Sequence, residues 1–155
     1  MDCPMCLRLG TPGALYDDGI WQVRPHEAPG VPGWMMLVTC AHRDGLVSLD
    51  DLEARTLGPM LRHFERLLLE VTGAEKIYTA MLGEAVPHFH AHLVPRRADQ
   101  AARGWSLFEL ERAANEGRII IETGEVARLS AAYANAIASR PPRDSRAVPA
   151  DERER

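Results

Sequence analysis

Residues 88–94, His-Phe-His-Ala-His-Leu-Val, are the stretch of this sequence that predicts most about its fold. Histidine and apolar residues alternate along it, which predicts a β-strand. Alternate side chains of a strand point to one face, so His88, His90 and His92 share a face, with neighbouring rings about 6.6 Å apart. Exposed imidazoles add nothing to packing and repel one another once protonated. We therefore interpret the three as a functional cluster; a chance run of surface histidines and a metal site built on His88 and His90 are the alternatives.

Three further segments predict strands around this one. Residues 19–24 alternate apolar and polar side chains, as a half-buried strand does. Residues 34–39 are continuously apolar, which is typical of a central strand, and residues 77–82 predict another strand. Together with the strand predicted over residues 89–94, they predict a largely antiparallel sheet of about five strands, with one long helix between two hairpin-like strand pairs.

The long helix is predicted by apolar side chains that recur at three- and four-residue spacings from Leu49 to Val71. Ser48 and Asp51 resemble a capping box at its start, and Gly73 is a natural stop. Pro59 is expected to kink it, because proline lacks an N–H donor and clashes with the preceding turn.

The C-terminal third predicts two more helices. Ser106 with Glu109 is expected to cap a helix that reaches about Asn115, and residues 125–138 form an amphipathic C-terminal helix. The apolar residues 119–121 between them predict either a short strand or an interface segment.

Residues 141–155 have almost no apolar content and balanced charge, which predicts a disordered tail. The folded domain is expected to span residues 1–140. The predicted fold class is α+β, a mostly antiparallel sheet with one long helix and a C-terminal helix.

The overall composition restricts the possible partners. The 155 residues carry a formal charge of −4, from 18 Lys and Arg against 22 Asp and Glu, and this acidic balance argues against a nucleic-acid polymer. No apolar run approaches the roughly 18–20 residues of a membrane span, and the first residues lack the pattern of a secretory signal. We therefore expect a cytoplasmic protein without a membrane partner.

The three cysteines are Cys3, Cys6 and Cys40. An odd number without a secretory signal argues against a disulfide framework. Cys3-Pro-Met-Cys6 alone leaves three interpretations open: half of a zinc site, a redox pair, or two inert thiols.

The order His-φ-His-φ-His-φ-φ, in which φ is apolar, is the signature of the histidine triad (HIT) family, and residues 88–94 fit it without departure. The chain resembles that family from residue 3 to about residue 97. The shared features are an N-terminal CxxC, a Gly/Pro loop before an apolar strand, a histidine after that strand at His42, and a helix opened by the stretch Ser48 to Leu52. The resemblance implies the HIT-like fold and a homodimer.

The resemblance also implies a mechanism. His90 would attack the α-phosphorus of a nucleotide-like substrate and form a covalent nucleotidyl-histidine, which water or another acceptor resolves. His92 would donate a hydrogen bond to a non-bridging phosphate oxygen. Arg96 would add a phosphate contact, although a solvated charge after a strand is its ordinary interpretation.

His88 has two roles in proteins that this chain resembles. In many it orients the nucleophile, and in zinc-containing bacterial members the corresponding histidine is a zinc ligand beside a CxxC pair and a distant histidine. This chain has all four residues, Cys3, Cys6, His42 and His88, so the resemblance implies a structural Zn²⁺ site. Cys40 is a possible substitute ligand.

The chain departs from the family pattern at three positions. Where nucleotide-binding members usually carry an Asp that holds the ribose hydroxyls, this chain has His26, and the adjacent Glu27 is the candidate replacement. A Gln that commonly touches the phosphate or leaving group is Glu84, which repels a phosphate unless it is protonated or paired. The following Ser or Thr is Ala85, which removes a potential proton donor to the leaving group.

These features predict a zinc-stabilised hydrolase or nucleotidyltransferase that acts on nucleoside phosphates, with catalytic His90 and His92 and with Glu27, Glu84 and Arg96 as substrate-binding residues. A HIT-like protein that binds a nucleotide without turnover, or one that acts on a non-nucleotide ester, is the alternative. The base, leaving group and acceptor cannot be assigned from the sequence.

Overall fold

A computed structural model describes residues 3–27 and 29–147 of the chain. Across those residues, five strands form one sheet in the order β1-β2-β3-β5-β4, and every neighbouring pair is antiparallel. The strands are β1 (Tyr16–Asp17), β2 (Trp21–Pro25), β3 (Met35–Thr39), β4 (Lys76–Ala80) and β5 (His90–Arg96). The predicted α+β class with an antiparallel sheet is confirmed.

Four α-helices accompany the sheet within the described residues. They are α1 (Pro4–Leu9), α2 (Asp51–Thr72), α3 (Trp105–Asn115) and α4 (Thr123–Ser139), and two 3₁₀ turns span Leu46–Ser48 and Ser145–Ala147. None of the described helices is both long enough and apolar enough to cross a membrane.

Strand β5 carries His90 and His92 between β3 and the edge strand β4, and His88 immediately precedes it. His90 lies opposite Val38, and His92 lies opposite Met36. His92 also lies opposite Ala80 on β4, so ladders on both sides fix its position, whereas His90 is fixed by the β3 ladder.

The main core lies on the opposite face of β5, where Ala91 and Leu93 pack under α2 and α4. The apolar stripe of α2 contributes Phe64 and Leu68, both fully buried, as its periodicity predicts. The hydroxyl of Tyr133 on α4 donates to the Phe64 carbonyl oxygen at 2.9 Å, which satisfies a buried polar group between the helices.

The start of α2 differs from the prediction. Asp50, not Ser48, is the N-cap, and its carboxylate accepts from the backbone N–H groups of Leu52 and Glu53 at 3.0 and 2.9 Å. The Glu53 carboxylate accepts in return from the Asp50 N–H at 2.8 Å. Ser48 instead closes the preceding 3₁₀ turn, and α2 continues through Pro59.

Two other local predictions need correction. Ser106 lies inside α3, where its hydroxyl bonds to the Arg103 backbone and does not cap the helix. Residues 119–121 form no strand. The two-residue β1 was not predicted, because so short a segment shows no periodicity.

The packing of α3 depends on one glycine. A Cβ added at Gly30, in the loop between β2 and β3, would lie 2.2 Å from the Leu110 carbonyl carbon. Any side chain at this position would therefore push α3 away from the loop. The close approach sets α3 beside the histidine-bearing face of the sheet.

The predicted boundary at residue 140 and the disordered tail stay predictions. Residues 148–155 lie outside the described part, but residues 141–147 are described. Ser145 is buried and donates to the Asp18 carboxylate at 2.7 Å, while Arg146 donates to the Asp18 carbonyl oxygen at 2.7 Å. The segment after α4 is therefore attached to the turn between β1 and β2.

Candidate functional site

Four metal-ligating side chains meet at one end of the sheet. One ligand atom from each of Cys3, Cys6, His42 and His88 lies within 4.8 Å of the other three. His88 Nδ1 lies 3.5 Å from Cys3 Sγ and 3.4 Å from Cys6 Sγ, and His42 Nδ1 lies 3.5 Å from Cys6 Sγ. Tetrahedral zinc with ordinary Zn–S and Zn–N bonds separates S and N ligands by about 3.6 Å. The donor set and its spacing therefore fit a closed tetrahedral Zn²⁺ site.

The two imidazoles are oriented for metal ligation by their second nitrogens. His88 Nε2 lies 2.8 Å from the Thr39 carbonyl oxygen, so Nε2 carries the hydrogen and donates it. His42 Nε2 lies 3.5 Å from an Asp44 carboxylate oxygen. In His88, Nδ1 is left with a lone pair that faces the thiols, and the second nitrogen of His42 faces a carboxylate, which is the arrangement that metal-binding histidines use.

Helix α1 brings the two cysteines together. Cys3 is its N-cap, Pro4 occupies the first helical position, and one turn later Cys6 lies beside Cys3. Met5 between them is buried against Met36 on β3. A metal at this cluster would therefore attach the N-terminal helix to the sheet.

Cys40 is not part of the cluster. Its thiol lies 3.8 Å from an Asp17 carboxylate oxygen. Burial, together with the charges of Asp17 and Asp18, raises the pKa of Cys40 to about 12. A protonated thiol that faces two carboxylates is a poor metal ligand, so the structure gives no support to Cys40 as a substitute.

His90 is held in one tautomer by the backbone. Its Nδ1 lies 2.6 Å from the His88 carbonyl oxygen, so Nδ1 carries the hydrogen. Nε2 then has the lone pair and faces the neighbouring pocket. A neutral imidazole with one nitrogen free is the form that a nucleophile requires.

His92 is held in the other tautomer. The indole N–H of Trp34 donates to His92 Nδ1 at 3.1 Å, so a neutral His92 carries its hydrogen on Nε2. Burial, and then the charges of His90 and His26, lower the pKa of His92 to about 4. His92 is therefore a neutral hydrogen-bond donor 4.8 Å from His90, measured between ring centroids.

Both rings open into a pocket of about 720 Å³, which is the size of a small-molecule site. Its walls come from α1, the loops before β3 and β5, and one face of α3. The lining residues are Pro4, Met5, Arg8, His26, Glu27, Met36, Leu82, Gly83, Glu84, Ala85, Val86, His90, His92, Trp105, Glu111 and Asn115.

Glu111 on α3 is a pocket residue that the sequence did not reveal. Its carboxylate lies 3.3 Å from His26 Nε2, and this hydrogen bond lowers the pKa of Glu111. The His26 ring packs 4.9 Å from Trp34 and 5.6 Å from His92, between ring centroids. Glu111 and His26 therefore form a hydrogen-bonded wall beside the two histidines of β5.

The predicted substrate-binding residues have different positions. Glu27 and Glu84 line the pocket. Glu27 is mostly exposed and pairs with Arg8 at 2.9 Å, so its carboxylate is already engaged at the rim. Arg96 does not line the pocket; it ends β5 four residues beyond His92 and pairs with Glu75 at 2.6 Å. The structure therefore does not bring Arg96 to the phosphate position that the sequence suggested.

Comparison with solved structures gives many matches to histidine triad proteins. A hypothetical histidine triad nucleotide-binding protein from Sulfolobus tokodaii matches with a TM-score of 0.66 and 13% identity, over 88% of this chain and 93% of that chain. A histidine triad protein from Bradyrhizobium japonicum matches with a TM-score of 0.64 and 24% identity, over 80% and 89%. A Zn-bound histidine triad family protein from Mycobacterium smegmatis matches with a TM-score of 0.60 and 20% identity, over 90% and 98%.

No family sequence model and no curated protein sequence matches this chain. The structural matches nevertheless confirm the fold that the histidine pattern implies, and the chain has the HIT-like α+β fold.

Proposed function

We propose that this HIT-like protein cleaves nucleotide substrates at the α-phosphate, through a covalent nucleotidyl intermediate on His90. The observation that carries the proposal is the opposite tautomers of two adjacent histidines. His90 has its lone pair, and His92 has its N–H, on the nitrogen that is not held by the protein. One ring is prepared to attack a phosphorus atom and the other to stabilise the resulting charge.

The reaction would proceed in two displacements. His90 Nε2 forms a bond to the α-phosphorus while the bond from phosphorus to the leaving group breaks and its electron pair leaves with that group. His92 Nε2 donates to a non-bridging oxygen as negative charge develops there. Water or another acceptor then attacks the same phosphorus, the P–N bond breaks, and the electron pair returns to Nε2.

The charges around the pocket support a substrate with few phosphates. Glu27, Glu84 and Glu111 all line it, and its one lining arginine, Arg8, is already paired with Glu27. A long polyphosphate would meet these carboxylates without compensating cations. A nucleoside monophosphate joined to a neutral or basic leaving group meets less repulsion, so we propose this class.

A second candidate function is nucleotide binding without turnover, or action on a non-nucleotide ester. Glu84 and Ala85 favour it, because neither supplies a neutral donor to a departing group.

We further propose that the cluster of Cys3, Cys6, His42 and His88 binds one structural Zn²⁺. The fit of its spacing to tetrahedral geometry supports this. A closed site with four protein ligands supplies no open position for substrate, so the ion would stabilise the fold and leave the chemistry to His90 and His92.

We also propose that the protein is a homodimer and is located in the cytoplasm. Within the described part of the chain, strand β4 pairs only with β5 and leaves one edge of the sheet open, and open edges commonly pair with a second chain. Trp105 and Ile120 are also largely exposed. Light scattering of the purified protein would give twice the chain mass if the dimer forms.

The test of the catalytic proposal is to trap the intermediate. The protein is incubated with nucleoside phosphoramidates and dinucleoside polyphosphates labelled at the α-phosphate, quenched, and digested for mass spectrometry. We expect a nucleotidyl group on His90, with none in His90→Ala and an unchanged yield in His63→Ala, a histidine on α2 away from the pocket. An absence of adduct together with full activity of His90→Ala would refute the covalent mechanism.

A further inference from the structure

A second cavity of about 680 Å³ lies on the other side of the molecule from the histidine-bearing face, between α2 and the segment after α4. We call it the basic groove. Arg62, His63 and Arg66 on α2 form one wall, and Pro142 and Arg143 form the other. It shares no lining residue with the histidine pocket.

The basic groove is more positive than the rest of the chain. Three arginines and a histidine line it, and no Asp or Glu among the described residues does, although the whole chain has an excess of four acidic residues. The histidine pocket is the reverse, with three lining glutamates and one arginine. Of the two cavities, the basic groove is therefore the better complement to a multiply charged anion.

The three arginines of the basic groove form no direct salt bridge with the described residues, although the charge of Glu70 acts on Arg66. Among the described residues, Arg62, Arg66 and Arg143 have no ion pair within 4.0 Å and no hydrogen bond, whereas the nearby Arg140 pairs with Glu70 at 2.7 Å. Arg62 and Arg66 are four residues apart on one helix, where like charges repel. Repulsion between the two arginines lowers the stability of the free protein, and an anion bound between them would remove that repulsion.

Burial and the positive charges of nearby arginines both affect the pKa of His63, which also lines the basic groove. Burial, and then the charges of Arg66 and Arg140, lower the pKa of this histidine. Its Nε2 lies 3.0 Å from the Arg140 carbonyl oxygen, to which a neutral ring donates. The lowered pKa and this hydrogen bond favour the neutral form of His63 in the wall of the basic groove.

The basic groove is open at Gly58 and is held by hydrogen bonds on its other wall. Gly58 leaves open space on the face of α2, where an added Cβ would meet no atom within 4 Å. On the other wall, Ser145 and Arg146 bond to Asp18 and hold the segment in place. A wall that hydrogen bonds already hold in place costs less reorganisation on binding than a free segment does.

From these observations we propose that the basic groove is a binding site for a small phosphorylated anion with at least two phosphate groups, separate from the histidine pocket. Guanidinium groups bind phosphate oxygens in a bidentate geometry that matches this ligand class. A nucleic-acid polymer fits less well, because it requires an extended basic surface and this chain is acidic outside the groove.

The test uses inorganic tripolyphosphate as the probe on the full-length protein. Calorimetry measures the Kd, and the backbone amide shifts of Gly58 and Gly83 report on the basic groove and the histidine pocket respectively. We expect saturable binding that moves the Gly58 resonance. Arg66→Gln should weaken it about tenfold and Arg62→Gln/Arg66→Gln about a hundredfold, through the loss of charge-assisted hydrogen bonds.

Arg55→Gln is the matched control, because Arg55 is an exposed arginine of α2 that does not line the basic groove. It should change the Kd less than about twofold. Equal weakening by Arg55→Gln, shifts confined to Gly83, or no binding would overturn the proposal. Citrate, which carries similar charge on carboxylates, should bind more weakly; equal affinity for citrate would overturn the phosphate class. Circular dichroism checks that each variant is folded.

Discussion

His88 belongs to the metal cluster and His90, two residues later, to the histidine pocket. The two imidazoles are held in opposite tautomers. His88 donates a hydrogen bond from Nε2 to the Thr39 carbonyl oxygen and keeps the lone pair on Nδ1. His90 donates a hydrogen bond from Nδ1 to the His88 carbonyl oxygen and keeps the lone pair on Nε2. The difference shows that the hydrogen bond on the far side of each ring, more than the position in the strand, decides what that histidine can do.

The two regions also differ in closure. The cluster brings four ligand atoms within 4.8 Å and leaves no room for a substrate. The pocket leaves about 720 Å³ open beside the imidazoles of His90 and His92. We therefore expect that changes in the cluster act mainly on stability and changes in the pocket mainly on turnover.

The largest expected effect is on the cluster. Cys3→Ser should abolish Zn²⁺ binding and lower the free energy of unfolding by about 3–5 kcal/mol, or Tm by roughly 10 °C, because the ion would connect α1 to the sheet. Elemental analysis and thermal unfolding measure both quantities. Cys40→Ser should keep its zinc. A metal-free wild-type protein of unchanged Tm would contradict the structural role.

The next effect is confined to the pocket. His90→Ala should reduce kcat by about 10⁴-fold, since it removes the proposed nucleophile. Its zinc content should stay at one ion per chain and its free energy of unfolding should change by only about 1 kcal/mol. Steady-state kinetics and zinc analysis of the same preparation make the measurement. Loss of zinc in this variant would remove the contrast between the two regions.

The third effect is the pH dependence of stability that His92 contributes. Its pKa is about 4 in the folded protein and near 6.5 in the unfolded chain, so the unfolded state takes up the proton first as pH falls. This contribution is fully present above about pH 6.5 and is lost as pH falls toward 4, with a total of about 3 kcal/mol.

Urea unfolding at pH 7 and pH 4 tests this contribution. His92→Gln keeps an acceptor for the Trp34 N–H but does not titrate, so it should lose less stability than wild type over the same interval. Identical pH profiles for the two proteins would show that His92 is not held neutral by its surroundings.

The smallest expected effect concerns Glu111. Glu111→Gln should raise KM about fivefold and leave kcat within about twofold, because it removes the charge that positions His26 without touching His90. Glu109→Gln, the same change on an exposed position of α3, should leave KM unchanged. A selective fall in kcat in Glu111→Gln would instead place Glu111 in the chemical step.

The sequence predicted the sheet and the long helix because both rest on local periodicity. The alternation at residues 88–94 was enough to place His90 and His92 on one face, with Ala91 and Leu93 in the core. The start of α2 was assigned to Ser48 because two overlapping capping patterns lie within six residues, and only the fold shows which one is used.

The candidate site was predictable only where residues lie close in sequence or match a family pattern. Glu111 has neither property. It reaches His26 because α3 packs against Gly30, and no local pattern reports a contact between elements so far apart. For the same reason, Arg96 was placed near the phosphate by its proximity to His92 in sequence, although it lies at the far end of β5.

The close approach of Gly30 to Leu110 also bears on the order in which the molecule assembles. Residues 30 and 110 are 80 positions apart, and all five strands precede residue 97 in the chain. During synthesis the whole sheet is available before α3 leaves the ribosome, and a contact of this sequence separation forms late because loop closure is slow. The wall of the pocket that carries Glu111 is therefore expected to dock last, so that a nascent or partly folded chain has its histidines in place before it can enclose a substrate.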